Sequence, residues 1–382
     1  MKNYRLKYAY WGWREFYASV VPKKGAIGEL VGKLRTLSGC DDIILVNSGR
    51  TAIRIALKAF KDQQPNKNTV LVPAYTCDAV VQAVVVEGFN IKYIDVDKNL
   101  NMSIDILAEE DFSDVLAVIA EHNYGYPIDI NKIAALGKTN DFYVIDDAAQ
   151  VQGINIDGKP MGSFADAGIY SFAQSKTMVS GLSGSGGVLM INNPDLVEPF
   201  NAISEKLPCA QSSTIAAMDF IWNWVWQRYT RNVTYYFYRI VGWTQPPPLG
   251  LERMNDVNAS IILSQYDRLD EIIDGKKQAI ATYVKIAKEF PKVRFVQDIE
   301  NHYIIKLTVL LNAEIKPEDV AKELKKQGVQ TRLAYSMPWC YKKPGCDNAR
   351  STAENMIELP MYAGISDDDV RDILTKFQKV IE

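Results

Sequence analysis

Between residues 40 and 190 the chain alternates short apolar runs with helical stretches, and few folds tolerate that rhythm. The runs cover 43–46, 69–72, 91–96, 115–119, 142–145, 169–172 and 187–191. Most are apolar along their whole length rather than at every second residue, which suits strands buried on both faces. Segments 49–61, 78–87 and 129–137 carry apolar residues at helical spacing. Parallel strands need crossovers of this kind, so the region predicts an α/β fold with a largely parallel sheet covered by helices on both faces. At 382 residues the chain has room for one large and one smaller domain.

Ligand chemistry in open α/β sheets sits beyond the carboxyl ends of the strands, and three such ends are chemically loaded. The run ending at Tyr170 leads into Ser171-Phe172-Ala173-Gln174-Ser175-Lys176. A lysine amine held there and partly desolvated can form an imine with a carbonyl compound, although most lysines are solvated surface charges. The run through Ile145 ends in Asp146-Asp147-Ala148-Ala149-Gln150. A carboxylate buried at that point needs a cationic partner such as a protonated pyridine nitrogen; it could equally cap the next turn. The run through Val46 ends in Asn47-Ser48-Gly49-Arg50-Thr51. Ser48 is a good helix N-cap, and the amides of Gly49, Arg50 and Thr51 would point at an anion. Lysine, aspartate and anion-binding helix together suggest a phosphorylated pyridine aldehyde.

These motifs, in this order, resemble the DegT-type sugar aminotransferases, pyridoxal-phosphate enzymes of the aspartate aminotransferase fold (fold type I). The matching blocks are Ser48-Gly49-Arg50-Thr51-Ala52, Val72-Pro73-Ala74-Tyr75-Thr76, Ile94-Asp95-Val96-Asp97, His122-Asn123-Tyr124-Gly125 and Asp146-Asp147-Ala148-Ala149-Gln150. They continue through Gly162, Asp166 and Gly168 to Ser171-Phe172 and Lys176. Spaced motifs in series are far more specific than any one alone. The resemblance implies pyridoxal 5'-phosphate as cofactor, Lys176 as its covalent anchor and Asp147 as partner of the ring nitrogen. It places Gln150 beside the phenolic oxygen and makes Ser171, with the amides around Gly49 and Arg50, phosphate ligands. Three positions depart from the pattern. Arg50 stands where the family has threonine, leaving Thr51 to supply a hydroxyl. Cys77 stands where an aromatic usually stacks on the ring, with Tyr75 a replacement. The glycine loop reads Gly184-Ser185-Gly186-Gly187.

The same resemblance implies a homodimer with active sites at the interface. The segment that would reach across is Glu252-Arg253-Met254-Asn255, making Arg253 or Asn255 a contact to the neighbour's site. Tyr124 and Arg332 are candidate substrate contacts. The expected reaction is transfer of an amino group from an amino acid, with L-glutamate the donor the family implies, to a keto-sugar carried on a nucleotide. Three other readings compete: a sugar dehydratase of the same family, an aminotransferase for a lipid-linked or apolar acceptor, and a non-catalytic regulatory or binding protein. In the related dehydratases a histidine replaces the lysine, so Lys176 speaks against the first.

Outside the motifs, the chain divides into an aromatic-rich arm at 1–30, a cofactor-binding domain at 31–248 and a smaller α+β domain at 249–382. A long helix over 258–280 would join the halves. A net charge of −3 and the absence of basic blocks predict no nucleic-acid footprint. Five cysteines without CxxC spacing and two histidines give no zinc set and fit a reducing cytoplasm. Met1 to Tyr10 lacks the apolar core of a signal peptide. A helical insertion at about 210–245 carries Trp or Tyr on nearly every side, but Asp219, Arg228, Arg231 and Arg239 prevent 219–243 from spanning a bilayer. It is expected to be buried between subunits or beneath the N-terminal arm, or else to lie at a membrane surface.

Overall fold

The computed structural model describes residues 2–6, 11–181, 185–208, 213–229, 250–300, 302–335 and 343–382. Helices α1 (Trp13–Val20) and α2 (Ala26–Ser38) lead into β1 (Ile43–Val46) and α3 (Gly49–Gln63). Then come β2 (Thr69–Pro73), α4 (Asp78–Val86), β3 (Asn90–Ile94), α5 (Ile104–Ala108), β4 (Val115–Glu121), α6 (Ile130–Asn140) and β5 (Tyr143–Asp147). A small hairpin of β6 (Asn155–Ile156) and β7 (Lys159–Pro160) precedes β8 (Ala167–Ser171) and β9 (Gly187–Ile191). Helices α7 (Val197–Ser204) and α8 (Ser213–Tyr229) follow.

The large sheet runs β1-β9-β8-β5-β4-β2-β3. Pairings β2–β3, β2–β4, β4–β5 and β5–β8 are parallel, whereas β9 runs antiparallel to both β8 and β1. The expected parallel sheet is therefore present with one reversed strand. Among the described residues no helical crossover separates β8 from β9, so the chain turns back through the loop that carries Lys176. All strands except β9 point their carboxyl ends to one edge. The helix α3 buries Ala52, Ile53, Ile55, Ala56, Leu57 and Phe60 against the sheet. On the other face α2 packs Leu30 and Leu34 with Tyr170, Phe172 and Val188.

The predicted 258–280 helix is instead two: α9 (Asp256–Tyr266) and α10 (Leu269–Ala287), broken at Asp267-Arg268. The start of α10 still packs with α9, since Leu269 and Ile273 share its cluster, and the rest of α10 turns to a second core. Ala259, Ile262 and Leu263 of α9 join the large-domain cluster, while Ala279, Ile280, Tyr283 and Ile286 of α10 pack into the C-terminal one. The C-terminal part continues with β10 (Arg294–Phe295), β11 (Leu307–Leu310), α11 (Pro317–Lys326), β12 (Arg332–Leu333), α12 (Asp347–Glu354), β13 (Met356–Leu359) and α13 (Asp367–Ile381). Its antiparallel sheet runs β10-β11-β13-β12.

Residues 2–6 lie on that C-terminal part: the Tyr4 amide donates to the Gly328 carbonyl at 2.8 Å, and the Tyr4 hydroxyl donates to Asp372 at 2.7 Å. Helix α1 packs on α9 and α8, and Glu15, fully buried, pairs with Arg268 at 2.6 Å. The aromatic helix α8 buries Phe220 and Trp224 against Trp11, Phe16, Val257 and Ile261. Its opposite side leaves Ile215, Met218, Trp222 and Val225 exposed. No helix among the described residues is long and apolar enough to cross a membrane. The rest of the expected 210–245 insertion lies outside the described residues, as does Gly184.

Candidate active site

Two carboxylates stand side by side at the sheet edge. The register of β4 and β5 sets Glu121 opposite Asp147, both at their strand ends. Side chains alternate along a strand, so Asp146 and Asp147 face opposite ways. Asp146 is saturated inside the protein, accepting from the Gly162 amide at 2.9 Å and the Phe164 amide at 3.2 Å. Its other oxygen meets His122 Nε2 at 2.8 Å. Because the Ile128 amide donates to His122 Nδ1 at 3.1 Å, the ring proton lies on Nε2 and points at Asp146. Asp147 instead faces a cavity of about 260 Å³. There it accepts from the Ala149 amide at 3.1 Å, and burial raises its pKa against the opposing pull of Lys176.

Glu121 lines the same cavity, 3% exposed, and accepts a hydrogen bond from the Thr76 hydroxyl. Burial first, and then the charge of Asp147, pushes its pKa up to about 8. Two neighbouring carboxylates cannot both ionise cheaply in a dry site, and Glu121 is the one that keeps its proton. The unfolded chain releases that proton near the ordinary value of 4.5. Stability therefore falls as pH rises from there to about 8. Glu121→Gln, neutral at every pH, removes the loss. The cofactor-free variant is expected to melt at least about 2 °C above the parent near pH 8 and to match it near pH 4.5, as thermal scans would show.

The phosphate side is built by α3. Ser48 caps the helix, its hydroxyl accepting from the Thr51 amide at 3.1 Å. Thr51 is held in that cap, its hydroxyl 3.0 Å from Ser48 Oγ and bonded to Asn47. Gly49 touches the end of β8: a Cβ there would lie 2.9 Å from Ser171 Cβ and 3.2 Å from its Oγ. Only glycine lets the helix N-terminus and the Ser171 hydroxyl share one cradle. Arg50 lines the cavity too, with its buried Nε lacking a hydrogen-bond partner. Burial lowers its pKa.

Lys176 projects into the cavity from a loop fixed at several points. Ser175 before it adopts φ +72°, a left-handed conformation unusual for serine. Gln152 donates to the Ser171 carbonyl and accepts from the Met178 amide at 3.1 Å, spanning the lysine. Gln265 pairs with both backbone groups of Val179, at 2.8 and 2.9 Å, and the Trp11 indole donates to the same carbonyl at 2.7 Å. Neither glutamine was legible in the sequence, where nothing distinguishes them from surface amides.

The remaining wall comes from the C-terminal part: Lys306, Arg332 and Tyr335 line the cavity. Lys306, just before β11, is 5% exposed, and its amine donates to the Tyr335 hydroxyl at 3.3 Å. Of the residues expected from the sequence, Gly49, Arg50, Cys77, Asp147, Gln150, Ser171, Lys176 and Arg332 all line this one cavity. Ser48 and Thr51 stand behind it in the helix cap. Tyr75 and Tyr124 are buried one layer back, hydroxyl to hydroxyl. Cys77, not Tyr75, holds the wall position. Arg253 and Asn255 are not in the chain's own cavity. Arg253 donates to the carbonyls of Ser204 and Glu205, and Asn255 caps α9. Glu121 had escaped notice because it only trails an apolar run, and Lys306 because it interrupts one by a single residue.

The donor set fits pyridoxal phosphate. The cradle at Gly49 and Ser171 suits a phosphate, Asp147 offers a buried carboxylate, and Gln150 brings an amide that can donate to a phenolic oxygen in the same cavity. Among the described residues no cluster could hold a metal ion.

Comparison with known proteins agrees with this geometry. Residues 26–378 match the DegT/DnrJ/EryC1/StrS aminotransferase family. The chain is 25% identical over 364 residues to a UDP-N-acetyl-3-dehydro-alpha-D-glucosamine 3-aminotransferase of Acidithiobacillus ferrooxidans, covering 92% of this chain and 88% of that one. In structure it resembles the Helicobacter pylori aminotransferase involved in the biosynthesis of pseudoaminic acid, with a TM-score of 0.79 and 14% identity, covering 100% of this chain and 99% of that one. It also resembles the PLP form of a putative sugar aminotransferase from Streptococcus pneumoniae, with a TM-score of 0.77 and 19% identity, covering 99% and 98%. Both likenesses confirm the aspartate-aminotransferase-like fold.

Proposed function

The chain belongs to the DegT/DnrJ/EryC1/StrS aminotransferase family, and from that premise we propose a pyridoxal-phosphate-dependent aminotransferase that moves an amino group from L-glutamate to a nucleotide-linked keto-sugar. One observation carries the reading: Lys176, Asp147 and the Gly49–Ser171 cradle converge on a single cavity. Pyridoxal phosphate supplies an aldehyde to carry the amino group and a pyridinium ring to withdraw electrons. Ser171 and the α3 amides hold its phosphate. Asp147 would keep a proton on the ring nitrogen, and the amide of Gln150 would donate to the phenolic oxygen. Lys176 would hold the cofactor through its amine and, once released, would move the proton at the donor's α-carbon. Thr76 and the protonated Glu121 close the site against water behind Asp147.

The test is a visible spectrum of the cofactor-loaded protein. Its long-wavelength band should disappear with L-glutamate and return with a nucleotide-linked keto-sugar. A band indifferent to every amino acid would leave a binding protein on the same fold. Lys176 disfavours the dehydratase.

The assembly we propose is a two-fold homodimer in the cytoplasm, with Arg253 or Asn255 reaching the neighbour's site. The absence of both from the chain's own cavity supports this. The exposed Ile215, Met218 and Val225 on one side of α8 support burial of that helix in the assembly, over contact with a membrane or an apolar acceptor. Sedimentation at micromolar concentration should show a dimer; a fully active monomer would contradict it.

A further inference from the structure

We propose that Glu121 is a further cofactor ligand, a neutral carboxylic acid that donates a hydrogen bond to the phenolic oxygen of pyridoxal phosphate. This rests on the cofactor reading above and adds a residue that stands just outside the motif His122 to Gly125.

The order of the strands places it. Along the edge of the sheet, Ser171 ends β8, Asp147 ends β5 and Glu121 ends β4, one strand after the next. Neighbouring strands lie about 4.8 Å apart, so the three ends span about 10 Å, the scale of a phosphorylated pyridine. With the phosphate in the cradle at Gly49 and Ser171 and the ring nitrogen at Asp147, the ring edge beyond the nitrogen lies towards β4. In this cofactor that edge carries the methyl group and, next to it, the phenolic oxygen. Glu121 lines the same cavity at that end.

Its proton makes it a donor there. Burial and the neighbouring charge of Asp147 raise the pKa of Glu121, Lys176 and hydrogen bonds from Thr76 and the Cys77 backbone oppose them, and the balance stands at about 8. Lys306 and Tyr335 face the cavity from the C-terminal wall. The Thr76 hydroxyl donates to one oxygen of Glu121, while Asp147 takes its hydrogen bond from the Ala149 amide. At neutral pH the proton on the other oxygen of Glu121 has no acceptor among the described residues. An ionised phenolic oxygen takes such a proton in a strong, charge-assisted bond, whereas a carboxylate in the same place would repel it. The oxygen has room for two donors, so Glu121 and the amide of Gln150 can share it.

The experiment measures the binding of two cofactor analogues by calorimetry. One is 4'-deoxypyridoxine 5'-phosphate, which has no aldehyde and cannot join Lys176. The other is the same compound without its phenolic hydroxyl. Parent protein should prefer the first at pH 7. Glu121→Leu should cut that preference about 10- to 100-fold, and Glu121→Gln, which keeps a neutral N–H donor, should restore most of it. Affinity for the second analogue should stay within about threefold of the parent's in both variants, which reports an intact phosphate cradle. The group holds its proton below about 8 in the free protein, so the parent's preference should fall as pH rises beyond that value, and that of Glu121→Gln should not. A preference in Glu121→Leu within about twofold of the parent's overturns the proposal. So does a parent preference that stays level or rises between about pH 8 and pH 10. Parent protein that binds neither analogue overturns the cofactor reading, and the proposal with it. If the analogues bind as described but L-glutamate never alters the cofactor spectrum, the transaminase reading fails while the Glu121 contact stands.

Discussion

Lys176→Ala is expected to lower turnover by at least about a thousandfold while leaving the fold intact, because it removes both the covalent anchor and the group that moves the α-proton. The fold should survive because the side chain is not what holds its loop. Gln152, Gln265 and the Trp11 indole secure the backbone on either side. Pyridoxal phosphate should still enter, since the Gly49–Ser171 cradle and Asp147 are untouched, but it should dialyse away and show the spectrum of the free aldehyde. Added methylamine should restore part of the rate, as an exogenous base. A variant that retains more than about a tenth of parental turnover would remove Lys176 from the mechanism.

The adjacent aspartates separate a rate effect from a stability effect. Asp147→Asn is expected to cut turnover by at least about a hundredfold, because an amide cannot keep a proton on the ring nitrogen as a buried carboxylate does. The cofactor should remain attached, since Lys176 and the phosphate cradle do not depend on it. Asp146→Asn should behave in the opposite way. Its carboxylate accepts from His122 and the amides of Gly162 and Phe164. An asparagine would turn donors against donors, costing about 1–3 kcal/mol of stability with turnover per folded molecule nearly unchanged. Urea denaturation and steady-state rates on the pair would show whether the two effects divide in this way.

The parts legible in the sequence were those with a local signature. Apolar runs with helical spacers gave the parallel core of the sheet, and the Ser48-Gly49 cap gave α3. The strand-end residues Lys176 and Asp147 stood out because chemistry at such ends is unusual in composition. What escaped depends on contacts distant in sequence. The reversal of β9 is decided by a return loop that, among the described residues, holds no crossover helix; the break at Asp267-Arg268 falls where Arg268 turns to pair with the buried Glu15. Glu121 looked like the trailing residue of an apolar strand until its register placed it against Asp147. Lys306 is one charged residue in the mostly apolar stretch 303–311 until folding sets it between Tyr124 and Tyr335. A charged residue at the end of an apolar run was the available signal for Glu121, and one inside such a run for Lys306.

The central claim is that one particular lysine carries the cofactor, and borohydride reduction followed by peptide mapping tests it most directly. The competition is real: Lys306 and Lys276 are both buried, with burial lowering their pKa values to about 8 and about 7. Either could offer a neutral amine to an aldehyde. Lys276 does not line the cavity, and Lys306 enters it from the C-terminal wall, whereas Lys176 stands on the loop that leaves β8 directly after Ser171 of the phosphate cradle. The reduced protein should carry a single pyridoxyl group, on the peptide containing Lys176, and Lys176→Ala should carry none. A pyridoxyl group on Lys306, Lys276 or any other lysine of the parent protein would contradict the account.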